Sequence, residues 1–274
     1  MLNRHPVSAT ASSTLTLVLA RLPQIPTIVA CDQPHGGEVI AVYELPDTMS
    51  SYPGVGNAPT GVDEASTACL GQGDQLGDFG TFAGDNRLPS PKTETEAAGA
   101  YEAWFISSLE AAVFVPRPRA WIGGARWAVC AAVLVNSNKK LTSYEGSARG
   151  VLVPGRLPVE FGWCRSAVDE AAGQFDIVAC DEPHTTEQLA SFRVAGDDAA
   201  FPGEDTIDRL AGRLCPELAS VATAGRSSAA NETEFGISWT YPQEQGWSSG
   251  ERVARCFINT LGEPTTGTFT SNGE

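Results

Sequence analysis

An eight-residue phrase occurs twice in this chain. Ile28-Val29-Ala30-Cys31-Asp32-Gln33-Pro34-His35 returns as Ile177-Val178-Ala179-Cys180-Asp181-Glu182-Pro183-His184. A glutamate stands three residues after each histidine, Glu38 and Glu187. An aromatic-Pro-Gly begins 21 residues after each cysteine, as Tyr52-Pro53-Gly54 and Phe201-Pro202-Gly203. A third block, P-x4-W-x2-G-x-R-x3-C, reads Pro116, Trp121, Gly124, Arg126, Cys130 and then Pro242, Trp247, Gly250, Arg252, Cys256. Three co-linear blocks with kept spacing point to two copies of one folding unit.

The 274 residues suit two small domains. The first copy is expected over 22–148 and the second over 159–274, joined near 150–158, where Gly and Pro cluster. Cys69 to Cys130 spans 61 residues and Cys215 to Cys256 only 41, which places an insertion at about 72–112 of copy one. The insertion holds a Gly/Asp-rich loop, Gly71 to Arg87. A stretch from Glu94 to Glu110 follows, in which Ala97, Tyr101, Trp104 and Phe105 recur at helical spacing. Strands are expected at Pro26–Cys31, Glu38–Leu45, Ala112–Pro116, Arg126–Val135, Glu187–Val194, Phe235–Tyr241 and Arg252–Asn259. Ile207, Leu210, Ala211 and Leu214 line one face of a helix over Asp205–Cys215. The fold class is therefore α+β: two tandem copies of a small disulfide-containing domain, each a mixed or antiparallel sheet with one or two helices.

With 18 Lys+Arg against 33 Asp+Glu, the net charge is −15. Such a surface repels phosphate backbones and anionic headgroups, so neither nucleic acid nor a lipid surface is an expected partner. The apolar run Leu15–Ala20 is too short for a membrane span. Any membrane attachment would come from an anchor not present in this chain. The seven cysteines, Cys31, Cys69, Cys130, Cys164, Cys180, Cys215 and Cys256, form no CxxC pair. Wide spacings fit structural disulfides, and these imply an oxidising compartment.

The C-D-x-P-H-x-x-E block, the aromatic-Pro-Gly, the mid-domain cysteine and the W-x2-G-x-R-x3-C block together resemble the bacterial septum-formation-related domain. Phe161-Gly162-Trp163-Cys164 resembles the Gly-x-Cys element that opens that domain. The resemblance implies an envelope protein that carries a membrane anchor in its full-length form. It implies a link to division-septum formation and no defined chemistry. Copy one departs from the pattern: Thr14-Leu15-Thr16 stands where the opening cysteine would be. The pairs expected are Cys69–Cys130, Cys164–Cys180 and Cys215–Cys256, with Cys31 unpaired. Cysteine counting leaves connectivity open, since four cysteines already allow three pairings.

Ten residues are candidates for ligand or partner binding. Asp32, His35, Glu38, Asp181, His184 and Glu187 could ligate a metal or hold an acid–base pair. The preferred reading is a structural corner. The Asp makes an Asx-turn, the Pro fixes φ, the His donates to a loop carbonyl and the Glu orients the ring. A catalytic metal site takes three protein ligands where the block clearly offers two, so no metal or other cofactor is assigned. Trp121, Arg126, Trp247 and Arg252 could form an exposed aromatic platform, but a Trp packed over the core beneath its Arg is preferred. No catalytic residue is assigned. The histidines are only His5, His35 and His184, and neither a G-x-S-x-G elbow nor a Walker A loop occurs. A Cys31–His35 thiol enzyme is disfavoured because Cys180 and His184 share the spacing, where a disulfide is expected.

The function expected is non-enzymatic: extracytoplasmic binding or scaffolding in the cell envelope, with a division protein or wall component as partner. The alternatives are a metal- or ligand-binding sensor using the two corners and, third, a hydrolase.

Overall fold

The computed structural model describes residues 28–50, 52, 60–71, 77–85, 87–88, 101–135, 141–153, 156–169, 174–223, 235–261 and 263–269. They divide into two compact units. One takes the described residues up to Asp85 together with Leu109–Val151; the other takes 87–108 and those from Leu152 onward. Both combine helices with antiparallel sheet, an α+β architecture.

In the first unit, β1 (Glu38–Glu44), β5 (Trp127–Val135) and β4 (Leu109–Phe114) lie in the order β1-β5-β4, and the short β6 (Leu141–Thr142) pairs with β5. The sequence of β5, Trp-Ala-Val-Cys-Ala-Ala-Val-Leu-Val, lacks the polar alternation of a half-exposed strand because it is apolar on both faces. One face carries Ala128 and Cys130 into a core with Val113, Val115, Leu45, Met49 and Trp121. Helix α1 (Thr60–Leu70) closes that core with Val62, Ala65 and Cys69, and the Cys69–Cys130 bond ties helix to strand at a Cα separation of 5.6 Å. The other face holds Ala131, Val133 and Val135 with Ala112 and Phe114. Helix α2 (Asp78–Ala83) is tied to β1 by the Tyr43 hydroxyl, which donates to the Asp78 carboxylate. Burial, then that bond and the Asp78 charge, push the Tyr43 phenol well above its usual pKa.

The second unit is one seven-stranded sheet along the path β10-β11-β9-β3-β2, with a β7–β8 hairpin added to β9. The strands are β2 (Arg87–Leu88), β3 (Ala103–Phe105), β7 (Cys164–Asp169), β8 (Gln174–Val178), β9 (Thr186–Arg193), β10 (Phe235–Thr240) and β11 (Val253–Thr260). Helix α3 (Pro118–Ile122), in the first unit, and helix α5 (Glu244–Ser248), in the second, are single turns carrying the repeated Trp. The long helix α4 (Glu204–Ala222) packs on β9, β10 and β11 through Ile207, Ala211, Leu214, Cys215, Leu218, Ala219 and Ala222, the stripe that a 3.6-residue period produces. Cys215–Cys256 ties α4 to β11.

Four expectations are corrected. The helix expected over Glu94–Glu110 is not formed where it is described: Trp104 and Phe105 lie in β3, and Leu109 and Glu110 begin β4. Residues 91–100 lie outside the described residues. The helical spacing is overridden at Trp104 and Phe105 by pairing partners far along the chain (Ala103 opposite Phe192, Phe105 opposite Ala190). By the same pairing, the stretch 87–108, read as part of copy one, belongs with the second unit. The strand expected at Pro26–Cys31 is absent from its described part, Ile28–Cys31, whereas the matching Gln174–Val178 does form β8 because β7 is there to pair with it. Finally, α4 does not stop at Cys215. It continues through Pro216, whose missing N–H and ring clash cost about 3 kcal/mol, and burial of Leu218, Ala219 and Ala222 offsets that penalty.

Gly162 of the Gly-x-Cys element has an ordinary extended backbone, so its constraint is contact. A Cβ there would run into Sγ of Cys180 and lie 3.3 Å from the Cβ of that residue. Gly162→Ala is therefore expected to lower stability by about 1–3 kcal/mol through overpacking against the Cys164–Cys180 bond. Gly36→Ala, with nothing within 4 Å of the added Cβ, should stay within about 0.5 kcal/mol of the parent. Urea unfolding of the two variants checks the contrast.

Candidate functional site

The two C-D-x-P-H-x-x-E blocks form the same corner. In the first, Gln33 N–H donates to the Ala30 carbonyl (3.0 Å), and His35 exchanges backbone hydrogen bonds with Tyr144 (both 3.0 Å). Nδ1 of His35 lies 2.8 Å from the Gln33 carbonyl oxygen. A carbonyl can only accept, so Nδ1 carries a proton and donates it there. The imidazole also leans on the Tyr144 ring, 4.3 Å between centroids. Glu38, opening β1, accepts from Ser147 Oγ (2.9 Å) and Ala148 N–H (2.8 Å). Gly146, at φ +85°, donates its N–H to the Cys31 carbonyl (2.6 Å).

The second corner repeats the hydrogen bonds, with Thr265 in the place of Tyr144 and so without the ring contact. Glu182 N–H donates to Ala179 (3.0 Å), and His184 exchanges backbone bonds with Thr265 (2.9 and 2.8 Å). Nδ1 of His184 meets the Glu182 carbonyl at 2.8 Å. Glu187 accepts from the Thr268 hydroxyl and from Phe269 N–H (2.7 Å), and Gly267, at φ +90°, donates to the Cys180 carbonyl (2.6 Å). His184 and Glu187 are fully buried, whereas the first corner is more open. Asp32 and Asp181 are exposed, and in both corners the turn is closed by the backbone bond rather than by an Asp side chain.

Sequence reading missed the partners that complete these corners, Tyr144-x-Gly146-Ser147 and Thr265-x-Gly267-Thr268. The shared signal is a Gly followed by a hydroxyl residue after the last paired strand. It sits at different offsets from Cys130 and Cys256, so the fixed-spacing match does not reach it.

The Trp–Arg blocks are packed. Trp121 and Trp247 are 3% and 4% exposed, so neither ring offers a surface platform. The Arg126 guanidinium lies 3.9 Å from the Trp121 ring centre and donates to the carbonyls of Trp121 (2.8 Å) and Ala125 (2.9 Å). Arg252 lies 4.1 Å from Trp247 and donates to the carbonyls of Trp247 (2.6 Å), Glu251 (2.9 Å) and Asp197 (2.8 Å). The glycines of the block, Gly124 and Gly250, hold φ of +94° and +92°, which L side chains rarely adopt. The aromatics of the aromatic-Pro-Gly, Tyr52 and Phe201, set their edges against these Trp rings. Pro53 and Gly54 lie outside the described residues.

The cysteines pair as Cys69–Cys130, Cys164–Cys180 and Cys215–Cys256, and Cys31 is free and exposed. Partial desolvation, then the charge and hydrogen bond of Glu38 and the charge of Asp32, raise its thiol pKa. Sγ of Cys31 and one donor atom each from His35 and Glu38 all lie within 4.8 Å of one another. No helix among the described residues is long and apolar enough to cross a membrane.

No curated protein and no solved structure matches this chain. A family model described as septum formation matches residues 103–256, from β3 through both Trp–Arg blocks to Cys256. That match covers more than half of the sequence, and the chain belongs to the septum-formation family.

Proposed function

We propose that the chain is a non-enzymatic extracytoplasmic protein of the cell envelope, built from two copies of one module, that binds a division protein or wall component. Three disulfides and the family match are compatible with that compartment. The Trp–Arg blocks are used in packing: the Trp rings are buried and the Arg forks donate to carbonyls.

The observation that carries the binding reading is an apolar strip on the first unit. Val39, Val42 and Trp127 are 59%, 65% and 37% exposed. Val39 and Val42 are three residues apart and would point to opposite faces of a regular strand. A bulge between Val39 and Ala41 brings them to one side, opposite Ala131 and Val129. Trp127, opposite Glu44, continues that face. Large side chains grouped this way across the edge strand β1 and the end of its neighbour β5 suit a protein surface better than a polysaccharide alone.

The test uses the full-length chain in its host as a fluorescent fusion, with free thiols trapped on lysis. Enrichment at the division site, about one free thiol per chain, and loss of enrichment in Val42→Asp at unchanged thiol count would support the proposal. Seven free thiols, or enrichment indifferent to the substitution, would sink the compartment or the strip respectively.

A further inference from the structure

We propose that Cys31, His35 and Glu38 form a binding site for a thiolate-preferring divalent cation, with Zn²⁺ as the natural probe. The two corners share a backbone, a histidine and a carboxylate, and differ at the cysteine. In the second corner Cys164 takes the sulfur of Cys180, leaving two donors. In the first corner the sulfur is free and exposed, and the three residues bring their donor atoms within 4.8 Å of one another.

The surroundings are those of a prepared ligand set. A histidine that binds a metal through one nitrogen commonly donates its other N–H to a carbonyl, which fixes the tautomer. Nδ1 of His35 does so to Gln33. Its Nε2 is buried and has no hydrogen-bond partner among the described residues; Nε2 of His184 is in the same position, but only His35 has a free sulfur beside it. Glu38 is held by Ser147 and Ala148, leaving lone pairs on a carboxylate whose position is set.

Zinc bonds of about 2.0–2.3 Å place tetrahedral donors about 3.3–3.8 Å apart, so closure needs a contraction of at most about 1.5 Å. Cys31 can supply it, because it sits in an exposed turn outside any strand. A sulfur, an imidazole and a carboxylate suit Zn²⁺ over the all-oxygen cations Ca²⁺ and Mg²⁺. Three protein ligands leave a fourth position for water or a partner's donor. Binding displaces the thiol proton of Cys31 to solvent as the sulfur–metal bond forms. The site is independent of the apolar strip, and either can fail without the other.

The test takes the full chain with its three disulfides intact and Cys31 kept reduced by mild glutathione. Titration with Co²⁺ should give a sulfur-to-cobalt charge-transfer band that saturates at one equivalent and is displaced by Zn²⁺. Zn²⁺ should slow alkylation of Cys31 by iodoacetamide by at least about tenfold. Cys31→Ser should abolish the band and weaken zinc binding by about 10–100-fold or more, whereas Asp47→Asn, at an exposed carboxylate outside the corner, should leave both. Absence of the band in the unmodified chain, or zinc binding that survives Cys31→Ser unchanged, would overturn the proposal. The band and the protection are read on the parent protein, so a variant that fails to fold does not blunt the test.

Discussion

Alanine at both Cys69 and Cys130 is expected to remove about 4 kcal/mol of stability, against about 3 kcal/mol for the pair Cys164 and Cys180. The difference follows from loop length, since the first bond closes a 61-residue separation and the second only 16. The Cys215–Cys256 bond, at a separation of 41, falls close to the first in closure entropy. Its loss should be less damaging locally. Helix α4 presents seven buried residues to its sheet, while α1 holds on through Val62, Ala65 and Cys69. Once its bond is removed, α1 should fray before β5 does. Hydrogen exchange followed by mass spectrometry separates the outcomes: loss of protection in 60–70 is expected for Cys69→Ala/Cys130→Ala, with 204–222 protected throughout. A change in unfolding free energy under about 1 kcal/mol would show that denatured-state structure, not the closed loop, governs this unit.

Arg252→Leu should cost about 3–4 kcal/mol, because three carbonyls lose their donor, that of Trp247 in a buried bond and those of Glu251 and Asp197 in part-buried ones, and the Trp247 ring loses its stacked cation. Arg252 is 7% exposed, and its fork reaches the carbonyls of Trp247, Glu251 and Asp197. Arg252→Lys keeps the charge without the planar fork and should recover only part of the loss. Arg126→Leu should cost less, about 2 kcal/mol, since two carbonyls lose a donor there instead of three. Thermal unfolding of the three variants gives the order directly. An Arg252→Leu chain of unchanged stability that had lost partner binding would return this block to a recognition role.

What the sequence by itself determined is the local and repeated part of the protein. The strand signals at β1, β5, β9 and β11 set those elements to within a few residues, and the stripe Ile207, Leu210, Ala211 and Leu214 set the start of α4 but not its end. The repeat also carried its own explanation in kind, since Gly124 and Gly250 meet a positive φ and Gly162 meets a sulfur. These are properties of one residue and its near neighbours, and a single sequence contains them. The tertiary structure alone decided the rest. Trp104 and Phe105 became strand because β9 offered an edge, and α4 crossed Pro216 because the sheet beneath it was still there to cover. Glu38 and Glu187 found hydroxyls 109 and 81 residues away. The third donor beside His35 was visible in the chain as Cys31, but its nearness to Glu38 is a product of the turn and the strand that follows. Pairing across such distances is settled by the free energy of the whole packed unit, in which local preference is a small contribution.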